Sequence, residues 1–581
     1  MRILFVALLA FASTAVAQTG TPAGADKQVT VWLESSLKRV YPASPPATDR
    51  KLNLVSARNQ TLSFQAVIRN RTIQKLRLQC EVSAPTGISV KVRRVGYVPL
   101  PHRATRVDDA ETEGIGYIPG LVPDPLFPEQ IADVGPGENQ SFWVTVRVPA
   151  GVQPGRKPIQ VQFISEDLKT KAKTNVGSLA TQIDVKPFTI QPRRDFPVTH
   201  WWYPDSVYDE YKTEPFSEKW WQITEPYLRN MTEHGSNVVR VPMFHTRREV
   251  VQRPAQLLKV REVSPGKYEF DFSPIRRFVQ MAKRNGVEYF EFPHLWLYWG
   301  VRNPIQVYEL KGDKWSLLWP VESPATTGVY RNFLEQFLPA LRKFLDEENL
   351  PPERTFFHVS DEPGRGHLSA AERLEEFENY KKARALLKEL APWMKVMDAL
   401  SDVEYGKQGV TDIPVPILSS AQKYIDAKIP HWVYFCTSPR GKYLNRLYDT
   451  PLAKIRMSGF LFYRLGAGGF LHWAYNYWYK MDTQQLENTF HEGAGSDWPA
   501  IPYGDPFVVY PGENGPIDSI RWEVFAEALQ DYAILQTAGV SPSSPMLTEI
   551  KSYQEFPKNE AWIDKTVATL LANSEKTKSS D

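Results

Sequence analysis

The run Thr355-Phe356-Phe357-His358-Val359-Ser360-Asp361-Glu362-Pro363-Gly364 carries an apolar strand into two adjacent carboxylates and a chain break, and an amphipathic stretch follows at 370–390. Strand, loop and helix in that order make one βα unit. The same grammar recurs on both sides of it. Short apolar strands are predicted at 198–203, 237–244, 288–296, 355–360, 395–400, 415–419, 431–437 and 469–477. Helices are predicted at 217–234, 274–285, 330–348, 370–390, 444–461 and 520–536. In the third of these, Phe333, Phe337, Leu341 and Phe344 form one apolar stripe suited to packing on a sheet. Ser273-Pro274 reads as an N-cap with proline at the first helical position, and Ser369-x-x-Glu372 and Ser401-x-x-Glu404 read as capping boxes. Eight βα units in series predict a (β/α)8 TIM-type barrel, with an open doubly wound sheet as the alternative.

Upstream the pattern is different. Runs at 29–33, 62–68, 88–92, 141–148 and 159–163 are rich in β-formers, several alternate with period two, and Pro-Gly and Gly-Glu-Asn punctuation separates them. They predict an antiparallel β-sandwich, with 185–194 as exit strand and linker. The fold class is therefore multidomain, β followed by α/β. Met1-Arg2, an apolar run at 3–11 and Ala15-Val16-Ala17 fit a signal peptide, so export to the periplasm or beyond is expected. The expected divisions are a signal peptide at 1–17, the sandwich at 18–194, the barrel at 195–540 and a helical tail at 541–581.

The chain has 581 residues, with Lys+Arg 69 against Asp+Glu 66 and a formal charge of +3. That balance gives no basic field for a nucleic acid, and no later stretch reaches the ~20 apolar residues of a membrane span. Cys80 and Cys436 stand far apart, too few for a disulfide framework or a cysteine zinc site. The ten histidines show no H-E-x-x-H pattern, so neither a metal nor another cofactor is expected. The 17 Trp and 26 Tyr exceed what a core needs, and such side chains stack on sugar faces.

In a barrel the βα loops converge at the C-terminal ends of the strands, which is where Asp361 and Glu362 fall. Neighbours on a regular strand point to opposite faces. Both can face one cleft only where the strand has broken, and Pro363 is expected to hold Glu362 extended while Gly364 turns the chain. Two carboxyls in one cleft repel when both are ionised, so one is kept protonated, as glycoside hydrolysis requires. The plainer reading is that the pair caps the loop before Ser369 or bonds Arg365. The predicted seventh strand ends Tyr434-Phe435-Cys436-Thr437-Ser438, without a carboxylate. Either Asp398 or Asp402 serves as nucleophile or base, or the substrate's own acetamido oxygen attacks the anomeric carbon. Other strand ends supply candidate sugar contacts: His200, Trp201, Tyr298, Tyr434, His472, Trp473, Asn476 and Tyr477. Asp505 and Glu513, on a predicted loop near the mouth, rank behind them.

Three runs taken in order resemble the catalytic domain of glycoside hydrolase family 123. They are His358-Val359-Ser360-Asp361-Glu362-Pro363, then 468–476, and then Val509-Tyr510-Pro511-Gly512 followed by Ser519-Ile520-Arg521-Trp522-Glu523 and Asp531-Tyr532. The resemblance covers roughly the chain after Asp195, and an N-terminal β-sandwich is also found in that family. It implies an exo-acting β-N-acetylgalactosaminidase with a substrate-assisted retaining mechanism. By the same resemblance Asp361 matches the aspartate that stabilises the acetamido group, and Glu362 the general acid/base. The expected partner is a glycan ending in a β-linked amino sugar. A glycosidase acting on a non-acetamido sugar and a non-catalytic carbohydrate-binding protein are the alternatives.

Overall fold

The computed structural model describes residues 28–49, 51–104, 107–245, 254–364 and 367–577, so the predicted signal peptide and Arg365 lie outside the described residues. The N-terminal region holds two sheets. One, of seven strands, runs Val29–Ser35, Gln60–Asn70, Asn139–Val148, Ser89–Leu100, Gly120–Phe127, Gly515–Ser519, Val509–Gly512. The other, of five, runs Leu54–Arg58, Lys173–Thr189, Gly155–Glu166, Leu76–Ser83, Ile131–Val134. Pairing is antiparallel throughout except between Lys173–Thr189 and Leu54–Arg58. Alternation explains the layers: Phe64, Ala66, Ile68, Phe142 and Val144 of the larger sheet meet Leu78, Cys80, Val161 and Phe163 of the smaller in one buried core.

The last two strands of the larger sheet are far from the others in sequence. They form a hairpin that follows the α/β region and crosses back to pair with Gly120–Phe127. Glu513, expected near the mouth, is instead exposed at the tip of this hairpin, because the apolar register of Val509 and Tyr510 recruits the segment as a strand. Beside it Arg521 donates from Nε and Nη2 to Asp124 at 2.9 and 3.0 Å, with both side chains fully buried. Arg521 also donates to the carbonyls of Gly504 at 2.7 Å and Phe507 at 3.1 Å.

After residue 195 the chain is α/β. Its parallel strands are Val198–His200, Val238–Arg240, Tyr289–His294, Thr355–His358, Met397–Ala399, Ile413–Val415, Val433–Tyr434 and Phe470–His472. Counted in that order, the sheet runs fourth-third-second-first-eighth-seventh, while the fifth and sixth pair with each other. Single parallel bridges, Phe357 to Val396 and Ile417 to Tyr434, stand at the two junctions. Helices Glu218–Glu233, Ser273–Arg284, Gly328–Glu347, Ala370–Leu390 and Ile520–Thr537 agree with the sequence reading within two residues at either end. No helix among the described residues is long and apolar enough to cross a membrane.

The departures have local causes. The predicted helix at 444–461 is two short helices, Leu452–Arg456 and Ser458–Arg464, because Pro451 can start a helix but not continue one. The sixth strand lies before the predicted 415–419, since helix Leu418–Asp426 begins there. Ser273 is inside its helix and not its cap. The amide of Glu404 is taken by the Asp402 carboxylate at 3.0 Å, not by Ser401. The Ser369–Glu372 capping box forms as read. Two hairpins escaped the sequence reading, Lys259–Ser264 with Lys267–Asp271 and Tyr308–Lys311 with Lys314–Leu317. Pro265-Gly266 and Gly312-Asp313 mark their turns, and both glycines have positive φ, at 71° and 63°.

Candidate active site

Phe357 and Val359 of the fourth strand and its extension pack outward against the helices, which leaves Phe356 and His358 on the inner face. Beyond the strand the chain leans on the segment after the third strand. Trp296 N–H donates to Val359 O at 3.0 Å, Trp299 N–H to Asp361 O at 3.1 Å, and Ser360 Oγ to Leu297 O at 2.9 Å. Asp361 and Glu362 are both half-buried. Glu362 is not extended as expected: its φ is +43°, and Trp299 and Val301 nearby have φ of 62° and 55°. Each such residue costs about 1–3 kcal/mol. The left-handed turn abolishes the strand alternation at Glu362, and the loop is held by Gly364, whose N–H donates to Glu376 Oε2 at 2.6 Å.

Tyr434, on the seventh strand, donates its hydroxyl to Glu362 Oε1. Burial, and then the Glu362 charge, hold that hydroxyl protonated far above the ordinary tyrosine range. Burial, and next the Glu362 carboxylate, push Asp361 up to about 7, against the pull of Arg240 and His358. One proton is thereby kept on the pair near neutral pH.

A buried polar cluster lies beneath the pair. His358 Nε2 is 2.7 Å from Glu291 Oε1, and Nδ1 is 3.2 Å from Asp398 Oδ1. Asp398 Oδ2 accepts from Val359 N–H at 3.1 Å and from Tyr380 O–H at 2.7 Å. Glu291 accepts from Thr199 Oγ1 and Trp201 Nε1, both at 2.5 Å. Arg240 sits 4.4 Å over the Trp201 ring and donates to His294 Nδ1 at 2.9 Å. Burial works against the His358 cation, but bonds and charges from Asp398 and Glu291 outweigh it and raise the group to about 9. Arg240, Glu291 and His294 were missed in the sequence. Arg240 and Glu291 are single charges inside apolar runs, Val238-Val239-Arg240-Val241 and Tyr289-Phe290-Glu291-Phe292, and that is the signal that could have found them.

The sequence candidates divide. Trp201 and Tyr434 lie on the inner face, and Tyr298 is half-buried beside Trp299 at 4.5 Å between ring centroids. Trp473, Tyr477 and Tyr203 form an aromatic group, with Trp473 Nε1 fixed by Asp505 Oδ2 at 2.8 Å. His472 Nε2 lies 3.5 Å from the other Asp505 oxygen. Three candidates are not brought to the pair, and His472, level with His200 in the register, stacks on it and on Phe435. His200 packs outward against Trp522 and Phe525 and meets Arg446 at 3.1 Å, since alternation along Thr199-His200-Trp201 turns it away. Asn476 is fully buried, and its amide braces both backbone groups of Tyr203. Asp398 has no exposure and donors on both oxygens, and Asp402 is exposed at a helix start. Neither is placed as nucleophile or base. A hollow lined by Tyr203, Asp205, Arg240, His245 and Pro293 opens at the ends of the first three strands.

Among the described residues, two groups have the ligand types and proximity of a metal site, His294-His358-Asp398 and His234-Asp518-Glu523. In the first, both His358 nitrogens face carboxylates and His294 takes an arginine proton, so lone pairs are spent. In the second, Arg93 already binds Asp518 and Glu523, at 2.5 and 2.8 Å.

The catalytic-domain model of glycoside hydrolase family 123 matches residues 201–538, more than half of the chain. None of the curated proteins matches the sequence. A family 123 glycoside hydrolase from Clostridium perfringens, whose structure concerns glycolipid glycan hydrolysis, superposes with a TM-score of 0.69 at 14% identity, over 95% of this chain and 98% of that one. A GH2 β-galacturonidase from Eisenbergiella tayi gives a TM-score of 0.31 at 10% identity, over 81% of this chain and 69% of that one, too distant to carry an argument.

Proposed function

Because the chain belongs to glycoside hydrolase family 123, it is a glycoside hydrolase, and we propose that it is an exo-acting β-N-acetylgalactosaminidase whose nucleophile is the substrate's own acetamido oxygen. The observation that carries this reading is the Asp361-Glu362 turn, with Tyr434 bonded to Glu362 from the seventh strand, where many barrel glycosidases place a carboxylate nucleophile. With the acetamido group bound against an ionised Asp361, the one proton held by the pair sits on Glu362, which gives it to the glycosidic oxygen as the bond from C1 to that oxygen breaks. The acetamido oxygen bonds to C1, and Asp361 accepts the acetamido N–H and balances the oxazolinium charge. Water then bonds to C1 as the bond from C1 to the acetamido oxygen breaks, Glu362 takes a proton from that water, and the acetamido group is restored with net retention. Trp473, pinned by Asp505, offers an apolar face for the sugar. We read the eight parallel strands as one (β/α)8 ring, supported by the two single bridges at its junctions. The leader pattern at 1–17 supports export.

Hydrolysis of an aryl β-N-acetylgalactosaminide, set against its glucosaminide and its 2-hydroxy counterpart, tests the reading. Turnover of acetamido sugars alone, fastest for the galacto epimer, is the expected result. Equal cleavage of the 2-hydroxy sugar would overturn substrate assistance.

A further inference from the structure

We propose that His358 is a positioning residue for the Asp361–Glu362 pair, clamped as an imidazolium between Glu291 and Asp398 so that it fixes both the charge and the height of the strand end that carries the two carboxyls. The inference rests on the glycosidase reading above and adds to it a residue that touches no substrate.

The first argument is donor counting. Glu291 already receives Thr199 and Trp201 on its two oxygens, and Asp398 receives Val359 and Tyr380 on one of its own. Those bonds favour the ionised form, which only accepts, and they hold Glu291 below the usual carboxylate range, while burial still leaves Asp398 above it. Both His358 nitrogens face such oxygens, so both must donate, and the ring carries a positive charge. The raised titration of His358, to about 9, agrees.

The second argument is placement. His358 is the last residue of the fourth strand, three before Asp361, and the amide of the intervening Val359 is held by the same Asp398 that holds the ring. Ring, strand and catalytic loop therefore move together.

The third is the balance of charge. His358 faces Glu291 and His294 of the third strand, Asp398 of the fifth and the Trp201 ring after the first, with Arg240 of the second strand behind His294 and Tyr380 of helix Ala370–Leu390 behind Asp398. Asp361 feels Glu362, Arg240, His358 and Asp398. Two cations offset the two buried carboxylates, leaving the pair as the surplus negative charge. Without the imidazolium the surplus grows and the pair holds its protons more tightly. His358→Gln therefore moves both limbs of the pH–activity curve to higher pH, by about one unit. Glu291→Gln keeps the shape but removes one buried negative charge together with a principal support of the cation, so the surplus does not grow and the limbs stay in place or move to lower pH.

The test is the pH dependence of kcat for wild type, H358Q and E291Q on the best aryl glycoside, together with 15N-histidine NMR of the full chain, H358Q assigning the ring. The expected result is an imidazolium that persists above pH 8 in the wild type and titrates lower in E291Q, with an alkaline displacement of both limbs in H358Q and none in E291Q. A lowered kcat with unmoved limbs in H358Q would leave only a structural part for His358 and overturn the proposal, as would a wild-type ring that titrates near the ordinary 6.5. Should the wild type cleave no acetamido sugar, the proposed function falls, and the NMR titration still decides whether the ring is clamped as a cation.

Discussion

The core of the N-terminal β region and the inner face of the parallel sheet solve burial in opposite ways. Between the two β-sheets, Phe64, Phe142, Leu78, Cys80 and Phe163 meet without a charge, and the sequence alternation that puts them there is complete. Inside the parallel sheet, Phe356, Met397 and Val415 share the space with Glu291, His358 and Asp398, none of which has any exposure. A buried ionic cluster gives little net stability compared with apolar side chains of the same size. Its presence on one inner face and not in the other core separates the part of the molecule that folds for its own sake from the part that holds a proton in place.

The contrast can be broken at its most sensitive point. Asp361→Asn and Glu362→Gln should each lower kcat by about 10²- to 10⁴-fold, with little change in the urea midpoint. The converse change is Phe163→Ala in the β core. It should cost about 3–5 kcal/mol of stability, read from urea unfolding, while the activity per folded molecule stays near wild type. Tyr434→Phe, which strips one donor from Glu362, should cost about 1.5–3 kcal/mol in transition-state stabilisation, seen in kcat/KM with the fold intact.

A pH series sharpens the comparison without substitution. His358 is raised in the folded state to about 9 from an ordinary 6.5. Its contribution to stability is therefore complete below 6.5 and is lost as pH rises through 9. The urea midpoint of the wild type should fall over that window, and that of H358Q should fall less. The smallest effect belongs to Ser369→Ala, which removes half of the capping box of the helix after the catalytic turn. It should cost about 1 kcal/mol and leave the pH–activity curve where it is.

Much of this was legible in the sequence wherever local chemistry decides. The helix Ala370–Leu390 and its Ser369 cap follow from neighbouring residues alone, and the Asp361-Glu362 position follows from an apolar strand meeting Pro363-Gly364. What was not legible depends on partners distant in the chain. His200 and Trp201 look alike as candidates, and only the register of Thr199 against Leu471 decides which of them faces inward. The positive φ of Glu362 is set by the backbone of Trp299 and by Glu376 holding Gly364, against the local preference of a residue before proline. Glu513 followed its hairpin to another sheet.

That hairpin makes the molecule a poor subject for cutting and recombination. Val509–Gly512 and Gly515–Ser519 complete the larger N-terminal sheet from beyond the last parallel strand, and Asp124 of that sheet grips Arg521, whose other protons hold the Gly504 and Phe507 carbonyls beside Asp505. A break after residue 194 would yield one fragment with an open sheet edge and a buried lone carboxylate, and another with an orphaned arginine under its aromatic wall. The β region is thus not a portable module that could be shuffled onto another enzyme: it and the catalytic region are inherited, expressed and lost as one unit.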